Sequence, residues 1–140
     1  MKKCITFIFI LILSVSSICN AFQPPDPDRW YQINSRQWID IKTFECKKAG
    51  SDRIAIAWIL YYSRENNEFD FTSQTINEFN IDQRLYRRLS SFVYNPSGDI
   101  VLSDRNPSAW EYIIPDTNGE KTLNIIETFY EIKTTPPKKL

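Results

Sequence analysis

Side chains that commonly carry catalysis are scarce in this sequence of 140 residues, which contains no histidine. Without histidine, Ser-His-Asp and Cys-His nucleophile systems and most catalytic zinc sites are excluded. The three glycines, Gly50, Gly98 and Gly119, are far apart, so the sequence has no glycine-rich loop of the kind that binds phosphate. The sequence therefore predicts a protein that is not an enzyme and that binds no cofactor.

Acidic side chains occur close together at two places. Glu127 and Glu131 lie one helical turn apart, a spacing that is more typical of an exposed helix face than of an acid–base pair. The segment 65–70 is rich in carboxylate and amide oxygens, but calcium needs about six to eight oxygen ligands and a glycine-assisted turn. We therefore expect no metal site here and interpret 65–70 as a solvated turn.

Cys46 is the remaining candidate nucleophile. Lys47 and Lys48 follow it, and they would lower the pKa of its thiol if that thiol were exposed. Cys4 and Cys19 lie in the first 21 residues, which are interpreted below as a cleaved signal peptide, so Cys46 would be the only cysteine of the exported product. In an exported protein, such a lone thiol either pairs with another chain or stays reduced. Because the chain has no histidine to activate the thiol, we interpret Cys46 as an incidental small residue near the end of a strand.

A cluster of arginine side chains around one tyrosine is the best candidate for partner binding. It consists of Arg84, Tyr86, Arg87 and Arg88. Arginine and tyrosine are enriched at protein interfaces, and guanidinium groups stack favourably on aromatic rings. The alternative, which is the more common arrangement, is a solvated strand face on which the arginines pair with neighbouring acids.

The charge balance argues against nucleic acid as a partner. Lysine and arginine together number 17, and so do aspartate and glutamate. Binding to phosphate requires a clear excess of basic residues, usually gathered in a patch. The sequence therefore predicts a protein partner and no nucleic acid.

The first 21 residues have the three-part layout of a secretory signal peptide. Two lysines give a basic start, an apolar run follows over 5–15, and small residues lead to Ala21. The apolar run is too short for a bilayer span, which needs about 20 residues. Ile18 stands before Cys19, where a lipidation site would have a small residue. We therefore expect cleavage after Ala21 and a soluble product with no stable membrane span.

The length of the chain fits one domain. After cleavage, 22–140 keeps 15 basic and 17 acidic residues, a formal charge of −2. Three prolines make 22–29 an extended leader, and two prolines near the C-terminus make 133–140 a disordered tail. The folded domain is therefore expected over 30–132.

Alternating apolar residues predict a protein made mostly of strands. The strongest strand is 53–62, which is apolar on both faces, so we expect it to be central and covered on both sides. Ala55 and Ala57 on one of these faces leave room for a helix to approach. The other predicted strands are 30–33, 38–44, 69–72 and 75–81 as one or two strands, the hairpin 84–102, and 109–114. Turns are predicted at 47–52 and 63–68.

One amphipathic helix is predicted near the C-terminus. Thr117 and Glu120 have the spacing of a capping box, in which the two side chains bond to the first backbone amides of a helix. Apolar residues then recur at intervals of three and four residues, which predicts a helix over 118–132. The predicted fold is α+β: an antiparallel meander sheet of about six strands with one C-terminal helix packed on one face.

Several short sequence blocks, spread over roughly 30–130, are together similar to the pattern of a known protein family. They are Trp30-x-x-Ile33, Trp38-Ile39-Asp40, the strand around Trp58, Asn80-Ile81-Asp82-Gln83-Arg84, Tyr94-Asn95-Pro96-Ser97-Gly98-Asp99-Ile100-Val101, and Trp110-Glu111-Tyr112-Ile113-Ile114-Pro115-Asp116. Together these blocks resemble the surface-adhesin protein E-like domain of exported bacterial proteins. The resemblance implies an antiparallel sheet with a C-terminal helix laid across one face.

The resemblance also implies a function in adhesion. The namesake of the family is a surface lipoprotein that binds host matrix glycoproteins such as vitronectin and laminin, and it dimerises. Members often carry one cysteine near the position of Ile81 and another in the last helix, and this chain has neither. Ile18 also departs from the lipidation site of the namesake. No binding residue is carried across, because no short binding motif matches.

The sequence therefore predicts an exported, non-enzymatic binding domain in the periplasm or at the surface of a Gram-negative-type bacterium. Its expected partner is a protein, which the resemblance implies to be a host matrix glycoprotein. The alternative is a periplasmic accessory domain that binds a component of the cell envelope. A homodimer is a further candidate assembly, because one helix can cover only one of the two apolar faces of 53–62.

Overall fold

The computed structural model describes residues 26–65 and 68–136 of the chain, and for 63–65 and 68–71 it describes the backbone alone. The predicted signal peptide 1–21 lies outside the described residues. So do the first half of the predicted leader 22–29 and the last four residues of the predicted tail 133–140.

The described residues form one antiparallel sheet and one helix. The sheet has the strand order β1-β2-β4-β5-β6-β7, while β3 pairs with β4 and β8 pairs with β6. This arrangement confirms the predicted α+β fold with a C-terminal helix. The elements are β1 Trp30–Asn34, β2 Gln37–Asp40, β3 Glu45–Ala49, β4 Asp52–Glu65, β5 Glu68–Asn80, β6 Leu85–Tyr94, β7 Ile100–Asp104, β8 Glu111–Tyr112 and α1 Asn118–Thr134.

β4 is the central strand, as its two-sided hydrophobicity predicts. It pairs with β2 and β3 along one edge and with β5 along the other. On the face that α1 covers, Ala55 and Ala57 are completely or almost completely buried and belong to the same hydrophobic core as Leu123 and Ile126. The small alanine side chains therefore allow the helix to pack close to the sheet.

The start of α1 follows the predicted capping box. The N–H of Glu120 donates to Oγ1 of Thr117 at 3.4 Å, and the Glu120 carboxylate accepts from the N–H of Asp116 at 2.8 Å. The helix continues to Thr134, two residues beyond the predicted boundary. Nζ of Lys133 in the last turn donates to the carbonyl of Phe44, which ties the end of the helix to the sheet.

The predicted single strand 38–44 is interrupted after Asp40. Oδ1 of Asp40 accepts hydrogen bonds from the N–H groups of Lys42 at 3.0 Å and Thr43 at 3.3 Å. A carboxylate that bonds to amides two and three residues ahead stabilises a turn in place of an extended strand. The expectation for 38–44 was therefore wrong beyond Asp40.

The chain after this turn forms β3 where a turn was predicted over 47–52. Five consecutive residues of β3 pair with β4, and the reversal is confined to Gly50 and Ser51. Gly50 has φ +64, in the left-handed region that glycine adopts without strain. The sequence of β3 is largely exposed, so it has no burial pattern that could mark it as a strand.

Three other boundaries differ from those predicted. The segments 69–72 and 75–81 belong to the single strand β5, and β4 extends to Glu65, which shortens the predicted loop 63–68. The predicted strand 109–114 is reduced to the two residues of β8. The hairpin over 84–102 is confirmed, and its turn closes with the N–H of Gly98 donating to the carbonyl of Asn95 at 2.9 Å.

The two faces of the sheet differ in what lies against them. The helix face carries α1, and its core includes Ile59, Phe79 and Tyr130. We call the opposite side the Trp58 face, because Trp58 stacks there on Phe92 with ring centroids 6.0 Å apart. In the described part of the chain, no helix has both the length and the apolar character that crossing a bilayer requires.

Candidate functional site

The four residues of the predicted arginine–tyrosine cluster lie on β6 or immediately before it. Arg84 has φ +54 in the turn that precedes the strand, and its guanidinium pairs with Glu120 of α1. Tyr86 lies on the helix face, where its ring stacks on Phe79 at 6.3 Å and its hydroxyl donates to Glu111 at 2.9 Å.

The other two members point to opposite faces of the sheet. Arg87 lies on the Trp58 face, where it pairs with Glu78 at 2.6 Å and stacks on the ring of Trp110 at 4.6 Å. Arg88 shares the helix face with Tyr86 and pairs with Asp104 at 2.7 Å. The structure therefore brings Tyr86 and Arg88 together, separates them from Arg87, and gives each arginine of the cluster a carboxylate partner.

A polar groove lies on the helix face next to the N-terminal turn of α1. Its centre is formed by Tyr61 of β4, Asn77 of β5 and Tyr86 of β6. One part has a volume of about 210 Å³ and extends beneath Asn118 of the helix. The other part has a volume of about 280 Å³ and extends along β6 to Arg88. The two parts share the three central side chains, and we refer to both parts together as the polar groove.

The side chains of the polar groove are held by hydrogen bonds to one another. Asn77 is only 5% exposed, and its amide donates to Oγ1 of Thr75 at 2.7 Å. Burial raises the pKa of Tyr61, an effect that hydrogen bonds with Gln37 and Thr75 reduce in part. Burial also raises the pKa of Tyr86, and the hydrogen bond to Glu111 raises it further. Both phenols therefore remain neutral hydrogen-bond donors at physiological pH.

Arg88 contributes a polar atom that lacks a partner. Its Nη2 donates to Asp104 at 2.7 Å, but its Nε is buried and has no hydrogen-bond partner among the described residues. A buried donor without an acceptor costs about 1–3 kcal/mol, so it is uncommon in a folded protein. Among the described residues, this unpaired Nε is a feature that a bound partner could satisfy.

A second such feature is the outer edge of the sheet at β7. β7 is the last strand in the order and pairs with β6 alone. Ile100, Val101 and Leu102 are 56%, 53% and 62% exposed. An exposed edge strand presents unpaired backbone groups, and proteins usually protect it with charges, prolines or bulges. We refer to Ile100, Val101 and Leu102 as the β7 edge.

Glu127 and Glu131, the acidic pair of the helix, have a structural role. Both bind the guanidinium of Arg53 in β4, at 2.8 and 2.7 Å, and Arg53 also binds Asp82 at 2.8 Å. Arg53 and Asp82 line a cavity of about 680 Å³ near the C-terminal end of α1. The charges of Arg53, Asp82 and Glu131 in its walls are already paired with each other, which leaves these three groups less available to a ligand.

Cys46 lies on β3 and packs against the hydrophobic core. Burial raises the pKa of its thiol, and the nearby charge of Lys133 lowers it by a smaller amount. A raised pKa leaves little thiolate at neutral pH, which disfavours nucleophilic chemistry. Among residues 26–65 and 68–136, no three His, Cys, Asp or Glu side chains are grouped in a way that could hold a metal ion.

The sequence missed most of these features. Ser73, Thr75 and Asn77 alternate along β5, which is the pattern of one polar strand face, but the groove that they line depends on the tertiary fold. The apolar run Ile100-Val101-Leu102 is visible in the sequence, but the sequence does not show that this strand lies at the edge of the sheet. Comparisons of the chain with protein-family models, curated proteins and solved structures found no match.

Proposed function

We propose that this chain is an exported, non-enzymatic domain that binds a partner protein at the β7 edge. The partner would contribute an extended segment that pairs with β7 and becomes the next strand of the sheet. The observation that carries this proposal is the exposure of three consecutive apolar residues, Ile100, Val101 and Leu102, on a strand that pairs along one side only.

Strand addition explains both the backbone and the side chains of this edge. The outward N–H and C=O groups of an edge strand provide main-chain hydrogen bonds to an added strand, and the alternating side chains provide specificity. Leu102 pairs with Val93 and Ile100 pairs with the next residue of β6, Tyr94, so Val101 is an extra residue that forms a bulge. Ile100 and Leu102 therefore would contact opposite faces of the added segment. The matching partner segment is extended, about as long as the five residues of β7, and apolar at its centre.

The resemblance to the surface-adhesin protein E-like domain supports a host matrix glycoprotein, such as vitronectin or laminin, as the source of this segment. The alternative is a periplasmic accessory domain that binds a component of the cell envelope. This alternative is supported by Ile18, which occupies the position where a lipidation site would have a small residue. A second copy of the chain could also occupy the edge, by pairing β7 with β7 in a homodimer.

Binding of the exported protein to immobilised vitronectin and laminin tests the proposal. Replacing Leu102→Lys places a charge at the centre of the edge and should weaken binding about fivefold or more, because truncating or charging a central interface residue costs more than about 1 kcal/mol. Ile132→Lys is the matched control, since Ile132 is 68% exposed on α1, away from the edge. Equal binding by the two variants would contradict a role for β7.

The location of the protein separates the two candidate partners. Protease added to intact cells should digest a protein at the surface and spare one in the periplasm. Digestion together with glycoprotein binding would support the host partner. Protection until the outer membrane is opened would refute the host partner and favour the envelope component. Association of the purified protein that depends on its concentration, and that Leu102→Lys abolishes, would identify a second copy as the occupant.

A further inference from the structure

We propose that the polar groove around Tyr61, Asn77 and Tyr86 binds a neutral sugar in its ring form. This site lies on the helix face and is distinct from the β7 edge, so it does not depend on the function proposed above. Two aromatic rings, several uncharged hydrogen-bonding groups and one unpaired buried donor converge there.

The shape of the groove follows from the place where α1 begins. The helix covers Ala55, Ala57 and Phe79, and its first turn reaches only as far as Asn118 and Gly119 at the end of the groove. Beyond that turn the helix face of the sheet continues without a cover among the described residues. The groove is open along one side, and its two parts of about 210 and 280 Å³ are small compared with enclosed drug-sized pockets of about 300–1,000 Å³. An open, shallow depression of this size suits a sugar ring at the end of a longer chain.

The lining of the groove combines flat apolar surfaces with uncharged polar groups. Tyr61 and Tyr86 line both parts of the groove, and an aromatic side chain can pack against the C–H groups of a sugar ring while its hydroxyl stays at the edge. Asn77, Gln37 and Thr75 provide amide and hydroxyl groups, each of which can pair with a sugar hydroxyl. A sugar hydroxyl both donates and accepts, so it can match either kind of partner.

The unpaired Nε of Arg88 needs a hydrogen-bond acceptor, which a ligand could provide. Arg88 lines the groove, and its Nε is buried without a partner. The Arg88 side chain is 39% exposed, so a small shift would bring this donor to the surface of the groove, where a ligand oxygen would satisfy it and remove the cost of leaving it unpaired. A hydroxyl or ring oxygen of a sugar has the chemistry that this donor needs.

The charges around the groove favour a neutral ligand over an anion. The guanidinium of Arg88 is already paired with Asp104, and Glu111 accepts the hydrogen bond from Tyr86. The groove therefore combines one neutralised cation with a carboxylate that would repel an anionic sugar. Neutral sugars of this kind occur both on host glycoproteins and in bacterial envelope polymers, and the structure specifies the chemistry common to both.

The test is to titrate the isotope-labelled, exported protein with sugars and to measure the chemical shifts of its backbone amide NMR signals. Lactose represents galactose-ended host glycans, N,N′-diacetylchitobiose represents cell-wall glycans, and N-acetylneuraminic acid is the anionic comparison. We expect saturable shifts with a millimolar Kd for one of the two neutral sugars, confined to the amides around Asn77, Tyr86 and Ser108. The anionic sugar should bind more weakly.

Two variants, each with a matched control, examine the groove itself. Arg88→Met removes the unpaired donor and should weaken sugar binding about tenfold, whereas Arg105→Met removes an exposed arginine outside the groove and should have no effect. Tyr86→Phe keeps the ring, removes the hydroxyl and should weaken binding about threefold, with the exposed Tyr112→Phe as its control. If Arg88→Met fails to fold, the comparison of Tyr86→Phe with Tyr112→Phe still tests whether the groove binds the sugar. The proposal is overturned if neither neutral sugar gives a saturable shift, if the shifts map outside the groove, or if the groove variants bind as their controls do.

Discussion

Asp40 offers the sharpest prediction about how this fold is held together. Its carboxylate is completely buried and accepts hydrogen bonds from Nε and Nη2 of Arg29, at 2.9 and 2.8 Å. It also accepts from the N–H groups of Lys42 and Thr43, which form the turn after β2. Burial would raise the pKa of Asp40, but the hydrogen bonds from Arg29, Thr43 and Lys42 outweigh it and hold the pKa below its usual value.

The free energy of unfolding that Asp40→Ala would cost follows from how exposed each hydrogen-bond partner of Asp40 is. The side chain of Arg29 is 48% exposed, so in Asp40→Ala it regains water and the loss resembles that of a surface ion pair, up to about 1 kcal/mol. The two amides belong to the exposed residues Lys42 and Thr43, and each lost hydrogen bond costs about 1 kcal/mol. We therefore expect Asp40→Ala to lower the free energy of unfolding by about 2–3 kcal/mol.

Arg29→Met gives the more revealing result, because it leaves a buried carboxylate without its cation. The cost at pH 7 should be about 2–4 kcal/mol, below the range for fully buried pairs because the two amides remain. In the wild type, the lowered pKa means that the contribution of Asp40 is fully present above about pH 4 and is lost as the pH falls through its folded-state pKa. In Arg29→Met, the pKa of Asp40 rises, so protonation relieves the buried charge.

Urea unfolding of the wild type and Arg29→Met, measured between pH 7 and pH 3, checks this reasoning. The difference in the free energy of unfolding should be largest at pH 7 and should narrow as the pH falls. Asp40→Ala in the same series shows the behaviour of a chain in which this carboxylate cannot titrate. A difference between wild type and Arg29→Met that stays constant or widens toward pH 3 would show that Arg29 does not stabilise the charged form of Asp40.

Three further predictions concern other contacts. Arg53→Met should lower the free energy of unfolding by about 1–2 kcal/mol at pH 7 in urea titrations. The loss should become smaller toward pH 3, because Arg53 lowers the pKa of Asp82 and the contribution of this pair is lost as the pH falls through that lowered folded-state pKa. A loss that is equal at both pH values would contradict this assignment. Ala57→Leu should destabilise by about 1–3 kcal/mol in thermal unfolding, because the side chain would fill space that α1 occupies, and an unchanged Tm would refute the close packing. Cys46 should react with iodoacetamide at pH 8 more slowly in the folded protein than in urea, because burial raises the pKa of its thiol. Equal reaction rates in the two conditions would disprove the burial of this thiol.

The fold could be predicted wherever one residue type decides a local structure. The two-sided hydrophobicity of β4 and the capping box of α1 are of this kind, because burial and capping act within a few residues along the chain. β3 could not be predicted, since its residues are mostly exposed and its strand conformation comes from pairing with β4. The end of β2 was missed although its cause is local, because the Asp40 carboxylate bonds to the amides of Lys42 and Thr43, two and three residues ahead, and the apolar alternation of 38–44 hides this turn.

Some residues of the candidate site could be predicted from their types in the sequence, but their arrangement in space could not. Tyr86 and Arg88 were identified by their residue types, and both line the polar groove. Tyr61 and Asn77 were not identified, because a half-polar strand face is common in antiparallel sheets and becomes a groove only where the covering helix begins. The β7 edge required the strand order, which no local pattern of 100–104 contains.

An irregularity in β6 explains why the faces of this strand could not be read by simple alternation. Asn77 pairs with Arg88 and Ile76 pairs with Ser90, so Leu89 is an extra residue opposite β5. Strict alternation from Arg88 would put Phe92 in the groove, whereas the extra residue turns Phe92 toward Trp58 on the other face.

The same bulge bends β6 immediately after the residue that carries the unpaired Nε. One strand can therefore supply polar residues to the groove over its first half and an aromatic residue to the Trp58 face over its second half. β7 pairs with this second half, from Ser91 to Tyr94, beyond the bulge. A substitution such as Leu102→Lys on the outer edge thus leaves the groove residues Tyr86 and Arg88 in place. For this reason the two proposed binding activities should be lost separately, each through variants of its own surface.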